Sequence, residues 1–294
     1  ATSRVAPHSA GPVVAGGLSA VFGAPFTILV DSVSFVGSAV CVFLIRKRES
    51  APEPQSDKYG GFRQGMRAEI GEGLRYVLGH RYLRNIAACT GISNFFGNIA
   101  FSILLLYVAR EIRLSPGVIG VVLAVGNVGA LAGAVLANRI ARILGVGKTI
   151  LLSAVVFGPS VLLVPLAPRE PGLLTLFMLA ASGFIGAFGT VVYNINQVSL
   201  RQALTPERLQ GRMNAAMRWI VWGTIPIGTL AGGTLGQLLS LRTALFVGAI
   251  AVMPTFLWVL FSPLRRMRDI PAPLPRPPPA PPVTGGGLRA PTPP

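Results

Sequence analysis

Long apolar segments occupy most of this chain, and one polar interval, residues 46–84, separates two of them from the rest. About 20 consecutive apolar residues form a helix that can cross the hydrocarbon core of a bilayer, which is about 30 Å thick. Because backbone groups cannot stay unpaired in lipid, such segments predict an all-α integral membrane protein, a bundle of about eight transmembrane helices. The predicted spans are residues 5–22, 26–45, 85–108, 117–137, 149–166, 173–199, 213–239 and 244–261.

The composition and the placement of charge agree with a membrane protein. Only 12% of the 294 residues are charged, about half of the roughly 25% that is usual in soluble domains. The net charge of +16 could indicate nucleic-acid binding, but the basic residues lie between the apolar spans, where membrane topology explains them. We therefore predict no nucleic-acid partner.

The basic residues also predict the orientation. With eight spans, Arg110, Arg113, Arg169 and Arg242 fall in loops on one side, and the other 22 of the 26 basic residues fall on the opposite side. Loops rich in lysine and arginine stay in the cytoplasm. We therefore predict a multi-pass protein of the plasma membrane with both termini in the cytoplasm.

The polar interval predicts a cytoplasmic connector that contains an amphipathic helix. Apolar residues recur every fourth position at Phe62, Met66, Ile70 and Leu74, and a helix with such a stripe is expected to lie on the inner membrane face. The predicted domains are residues 1–45, the last two spans of a first half; residues 46–84, the connector; residues 85–268, a six-span second half; and residues 269–294, a disordered Pro-rich tail.

Polar side chains inside the predicted spans are the candidates for function. Asn94 and Asn98 lie four residues apart and therefore on one helix face. Amides in lipid seek partners, so these residues could simply hold helices together. The alternative is a cavity of amides and aromatic rings for a bulky, amphipathic substrate. The cavity candidates are Asn94, Phe95, Asn98, Tyr193, Asn194, Gln197 and Trp222.

Asp31 is the one acidic residue that falls inside a predicted span. An isolated carboxylate at membrane depth is costly, which makes Asp31 a candidate for proton coupling. It also lies about 9 Å from the start of its span, at 1.5 Å per residue, where headgroup water could reach it. Both interpretations stay open.

Other chemistry finds little support in the sequence. Residues 145–149, Gly-Val-Gly-Lys-Thr, resemble the end of a phosphate-binding loop, but Arg142 stands where its first glycine is required and no strand precedes it. We therefore predict no ATP binding. With two histidines, two cysteines and few carboxylates, we predict neither an enzyme nor a metal or other cofactor.

Three stretches resemble motifs of the major facilitator superfamily. Residues 11–16 read Gly-Pro-Val-Val-Ala-Gly, residues 134–139 read Ala-Val-Leu-Ala-Asn-Arg, and residues 205–212 read Thr-Pro-Glu-Arg-Leu-Gln-Gly-Arg. They are similar to the fifth-span antiporter motif, to the loop motif between the second and third spans of each half, and to the loop before the eleventh span. We expect Thr205 to cap the helix that follows, with Pro206 as its first residue.

The resemblance is to the drug-efflux branch, which includes macrolide exporters and the enterobactin exporter, and it covers about residues 5–268. It implies gating roles for Gly11, Pro12 and Gly16, which bend the fifth span, and for Asn138 and Arg139 in the loop motif. Since the family has aspartate where Asn138 stands, a salt bridge of that aspartate is not expected here.

The resemblance further implies a secondary transporter that exports a small amphipathic molecule or drug and uses the proton gradient. The family has twelve spans, so the eight predicted spans correspond to its fifth to twelfth, and the N-terminal half is expected to be incomplete. The alternative is a non-transporting membrane fragment or scaffold that lacks the first four spans. Because alternating access needs two halves that rock about a shared site, we expect no transport by these 294 residues alone.

Overall fold

The computed structural model of the protein describes residues 24–44 and 62–269, with side chains for residues 32–44 and 70–269. All regular secondary structure in these ranges is helical, which confirms the all-α fold. Two short 3-10 turns are present at Met253–Phe256 and at Pro263–Arg266. The helices are α1 (Ala24–Phe43), α2 (Phe62–Gly79), α3 (Arg81–Arg110), α4 (Pro116–Leu144), α5 (Val146–Leu166), α6 (Leu173–Leu204), α7 (Glu207–Leu238), α8 (Leu241–Val252) and α9 (Leu257–Leu260). The predicted first span and the tail from residue 270 lie outside the described residues.

Five of the described helical segments are long and apolar enough to cross a membrane, namely α3, α4, α5, α6 and the continuous stretch Leu241–Leu260. Helix α7 is not among them, because it is less apolar. It nevertheless packs along α3, with Gly228 against Phe95 and Gly232 against Ile99. Both helices advance by four residues between these two contacts, so they run parallel and share the same depth. The protein is therefore a multi-pass membrane protein.

Two other pairs of contacting helices run antiparallel. Helix α5 runs antiparallel to α6, since Ser160 lies against Gly186 and Ser153 lies against Gly189. Helix α8 and the turn after it run antiparallel to α3, where Ser93 donates a hydrogen bond to Thr255 at 2.9 Å. Two apolar cores result, one at each end of the bundle. Polar side chains cluster between these cores.

The closest helix pair is α4 with α6, which run parallel. Gly126 faces Gly183, and Gly129 lies directly on the backbone of Phe184. Gly133 repeats the contact one turn later, against Phe188. Small residues let helix backbones approach in a membrane, where van der Waals packing replaces the hydrophobic effect as the source of association.

The connector helix α2 is attached to the ends of α6 and α7. The Tyr76 hydroxyl donates to the carbonyl oxygen of Leu204 at 3.0 Å, and Glu72 forms an ion pair with Arg212. Val77 is fully buried. Val77 and Leu78 continue the apolar stripe expected from the sequence, and the stripe is divided, because three of its described members stay exposed and form a face that can contact lipid: Ile70, Leu74 and Leu78.

The loop between α6 and α7 corrects two predictions. The Thr205 hydroxyl donates to the carbonyl oxygen of Arg201 at 2.7 Å, and so it closes α6 instead of capping α7. The residue that caps α7 is Pro206, without a side-chain hydrogen bond. The predictions that Thr205 caps the following helix and that Pro206 is its first residue are therefore wrong, since α7 begins at Glu207. Threonine hydroxyls also bond to the carbonyl four residues earlier, and here that local bond prevails.

Candidate functional site

A cleft of about 350 Å³ lies between α3 and α6, and α5 and α8 complete its wall. Most of its surface is apolar, with a few amide and hydroxyl groups, which is the usual composition of a small-molecule site. Helix α3 contributes Thr90, Ser93, Asn94, Gly97, Asn98 and Phe101; α5 contributes Phe157, Ser160 and Val161; α6 contributes Gly186, Thr190, Tyr193 and Asn194; and α8 contributes Val252.

The wall on α3 is a row of polar residues at four-residue spacing. The side-chain amide of Asn94 donates to the carbonyl oxygen of Thr90 at 2.8 Å, and that of Asn98 donates to the carbonyl oxygen of Asn94 at 2.7 Å. Each bond fixes the amide along its own helix. One N–H and the side-chain carbonyl of each asparagine are then left for a bound molecule.

The wall on α6 is joined to α3 by hydroxyl groups. The Thr90 hydroxyl donates to the carbonyl oxygen of Ile86 at 2.7 Å and lies 2.8 Å from the Tyr193 hydroxyl. Since the Thr90 proton is already used, Tyr193 is the donor of the second bond. The Tyr193 ring also meets Phe157 edge to face, with 5.3 Å between the ring centres. These contacts hold Tyr193 rigid at the floor of the cleft.

A polar strip continues from the cleft along α6 toward its C-terminal end. Gln197 donates to the side-chain oxygen of Asn194 at 3.3 Å. One turn further, Arg201 is 8% exposed. Within the described ranges, the side-chain oxygen of Gln197 and the Nε of Arg201 are both buried without a hydrogen-bond partner. Buried polar groups without partners are uncommon in folded proteins and mark positions where water or another group can bind.

The sequence matches a known protein family over most of its length. Residues 5–283 match the major facilitator family model described as transmembrane secretion effector. The chain belongs to this family. It is 24% identical to the multidrug efflux pump Tap of Mycolicibacterium fortuitum over 260 residues, which are 88% of this chain and 61% of the pump. It is also 24% identical to the Tap pumps of Mycobacterium bovis BCG and Mycobacterium tuberculosis H37Rv over 273 residues, which are 88% of this chain and 59% of each pump. The chain thus spans about three fifths of the length of these curated relatives.

The structure brings four of the predicted cavity residues, Asn94, Asn98, Tyr193 and Asn194, together in the cleft. Phe95, also a cavity candidate, lies outside it and packs its backbone against Gly228 of α7. Gln197 lies beneath the cleft, bonded to Asn194.

Trp222 is not among the residues that line the cleft and is 60% exposed. The Arg218 guanidinium lies 4.6 Å from the centre of its ring. The gating candidates Asn138 and Arg139 are exposed near the end of α4. The backbone of Asp31 belongs to α1, while its side chain lies outside the described residues, as do Gly11, Pro12 and Gly16.

Several cleft residues were missed from the sequence. Thr90 continues the four-residue series of Asn94 and Asn98 by one turn, so its spacing could have revealed it. Phe157 and Ser160 lie in an otherwise apolar span, and its sequence does not indicate which side of the helix faces α6. Gly186 admits the Ser160 side chain only because it has no side chain of its own.

His80, between α2 and α3, predicts an acid sensitivity of the folded state. Burial, and then the charge of Arg81, lower the pKa of His80 below its usual 6.5. The unfolded chain therefore binds the proton more readily, so the contribution of His80 to stability is present above pH 6.5 and is lost as the pH falls below it. We expect the thermal unfolding midpoint to fall on acidification, and to fall less in the His80→Phe variant. An identical pH profile for both proteins would contradict this role.

Proposed function

We propose that this chain is the cleft-bearing part of a secondary active exporter for a small amphipathic molecule. The observation that carries the proposal is the cleft between α3 and α6, in which three asparagines, a tyrosine and two phenylalanines surround about 350 Å³. Membership of the transmembrane secretion effector family supports export, as does the similarity to proteins named multidrug efflux pumps.

The substrate we propose is neutral and able to accept and donate hydrogen bonds. No carboxylate is among the described residues that line the cleft. Arg201, which follows the cleft along α6 toward the C-terminal end of that helix, adds a buried positive charge. This electrostatic environment disfavours a cationic substrate. Apolar walls and asparagine amides suit an uncharged molecule with several carbonyl or hydroxyl groups.

The proposed topology has the connector, α2 and both termini in the cytoplasm, in the plasma membrane. Residues 1–45 would then end a first half, residues 46–84 would connect the halves, and residues 85–268 would form the six-span second half, with residues 269–294 as a cytoplasmic tail. The attachment of α2 to α6 and α7 through Tyr76 and Glu72 supports a connector that moves with the second half.

The proposed energy source is the proton gradient, without ATP. Asp31 is the residue we propose to carry the proton, because a carboxylate within a membrane helix titrates where an amide cannot. The bend at Gly11, Pro12 and Gly16 and the pair Asn138 and Arg139 are proposed to open and close the path.

Binding of a neutral fluorescent amphiphile tests the cleft. We expect Nile red to bind the purified chain in lipid nanodiscs, and the Asn94→Leu, Asn98→Leu double variant to bind it about thirtyfold more weakly, since each of the two lost hydrogen bonds contributes on the order of 1 kcal/mol. Asn85→Leu is the matched control. Asn85 makes the same bond to the carbonyl four residues earlier, on the same helix but outside the cleft.

An unchanged dissociation constant in the double variant would place the binding site elsewhere and reject the proposal. Tighter binding of the cation ethidium than of Nile red would reject the neutral substrate class. Accumulation of the same dye in cells that express a complete transporter with both halves, with and without a protonophore, then tests export and its coupling.

A further inference from the structure

Four basic side chains meet in one cavity at the junction of α4 and α5. The cavity measures about 420 Å³ and is lined by Leu144, Leu151 and Met267 together with the basic residues Lys148, Arg265, Arg266 and Arg268. No acidic residue is among those that line it. Four positive charges around one cavity repel one another, and an anion placed among them would remove that repulsion.

The backbone builds this cavity. The N–H of Val146 donates to the carbonyl oxygen of Arg268 at 3.0 Å, and the N–H of Gly147 donates to that of Met267 at 2.9 Å. Gly145, with φ 86°, turns the chain between the two helices. Any side chain at Gly147 would collide with the carbonyl oxygen of Leu264. Residues 145–148 resemble part of a phosphate loop, but two of their backbone N–H groups, those of Val146 and Gly147, instead hold the arginine-bearing segment beside Lys148.

Apolar side chains next to the cavity face outward. Ile143 is 73% exposed, Leu144 40% and Leu152 50%. These residues lie at the end of α4 and in the first turns of α5, both of which are membrane-crossing helices. The cavity therefore lies at the edge of the membrane, with its charged mouth at the helix ends and apolar contacts along α5.

We infer that this cavity binds the phosphate of an anionic phospholipid, with an acyl chain along Leu144 and Leu152. Basic pockets between transmembrane helices are suited to anionic headgroups. A guanidinium group can also donate two parallel hydrogen bonds to two oxygens of one phosphate. Exposed Arg139 and Arg142 on the neighbouring end of α4 extend the positive potential. The inference concerns a different part of the protein from the cleft, so it does not depend on the proposed function.

The test measures binding of phosphatidylglycerol to the full purified chain in a neutral detergent, by native mass spectrometry and by the shift in thermal unfolding. Each basic residue near an anionic lipid surface contributes roughly fivefold to binding. We therefore expect the R265Q/R266Q/R268Q variant to bind about a hundredfold more weakly, and phosphatidylcholine to bind weakly to both proteins. The matched control is R75Q/R84Q/R208Q, which removes the same charge from exposed positions elsewhere. It should keep the affinity of the original chain.

Equal losses in the two triple variants would show attraction to overall charge and would overturn the site. Stabilisation by inorganic phosphate alone, equal to that by phosphatidylglycerol, would overturn the lipid as its occupant. If the first triple variant does not fold, the K148Q variant tests the lipid site instead, because it leaves the backbone hydrogen bonds of Val146 and Gly147 in place. K148Q should bind phosphatidylglycerol about fivefold more weakly, and an unchanged affinity would overturn the inference.

Discussion

Replacing Gly129 by leucine should prevent α4 and α6 from packing and leave the purified chain aggregated. A Cβ atom at this position would lie 2.8 Å from the Cα and 2.9 Å from the carbonyl carbon of Phe184. Both are backbone atoms, so no change of rotamer can relieve the collision, and the helices must separate. Their separation would also break the contacts of Gly126 and Gly133. We expect a loss of roughly 3 kcal/mol or more in stability, measured as thermal unfolding and as the monodisperse fraction in detergent.

The matched control is Gly120→Leu on the same helix. A Cβ atom at Gly120 meets nothing within 4 Å, so the leucine would enter open space and its effect on helix propensity is small. The control should elute and unfold like the original chain. Aggregation of both variants would contradict the packing argument, since it would show that α4 does not tolerate leucine anywhere.

The sequence predicted the features that depend on local pattern. Apolar length gave the spans and the alternation of basic loops gave their directions, and the structure confirms an all-α membrane protein with several such helices. The spacing of Asn94 and Asn98 placed both on one helix face, and both line the cleft. These properties repeat within a single helix, so they can be derived without knowledge of its neighbours.

The features that escaped prediction depend on how each helix is rotated about its axis. Trp222 is 60% exposed and is not among the residues that line the cleft, and nothing in its own span distinguishes its position from one in the cleft. Ser160 reaches the cleft because Gly186, 26 positions away in another helix, leaves room for it. The basic cavity needs a chain segment that returns to the start of α5 from more than a hundred residues away, and only tertiary structure brings the two together.

In a complete transporter with both halves present, Asp31→Asn should reduce proton-coupled efflux to background, while Arg218→Gln should reduce it by no more than about fivefold. Asparagine cannot carry a proton, so coupling through Asp31 would end with the substitution. Arg218 has a different partner, since its guanidinium lies 4.6 Å from the centre of the exposed Trp222 ring. Losing a cation–π contact of that kind costs roughly 1 kcal/mol. The measurement is dye efflux from energised cells that express the complete transporter, with a protonophore as the reference for background.

The charge-swapped double variant, with arginine at 31 and aspartate at 218, tests whether the two residues pair. Asp31 lies seven residues after the start of α1, about 10 Å along the helix, and in the proposed topology this places it in the outer third of the membrane. Arg218 lies five residues after Met213, where its predicted span begins, about 8 Å along α7, and in the proposed topology α7 enters the membrane from the cytoplasmic side. The vertical distance between them exceeds the reach of a salt bridge in a core about 30 Å thick, and a guanidinium can extend to the cytoplasmic interface instead. The swap should therefore restore nothing, and recovery of efflux would show that the two are partners and that the proposed directions of α1 and α7 are wrong.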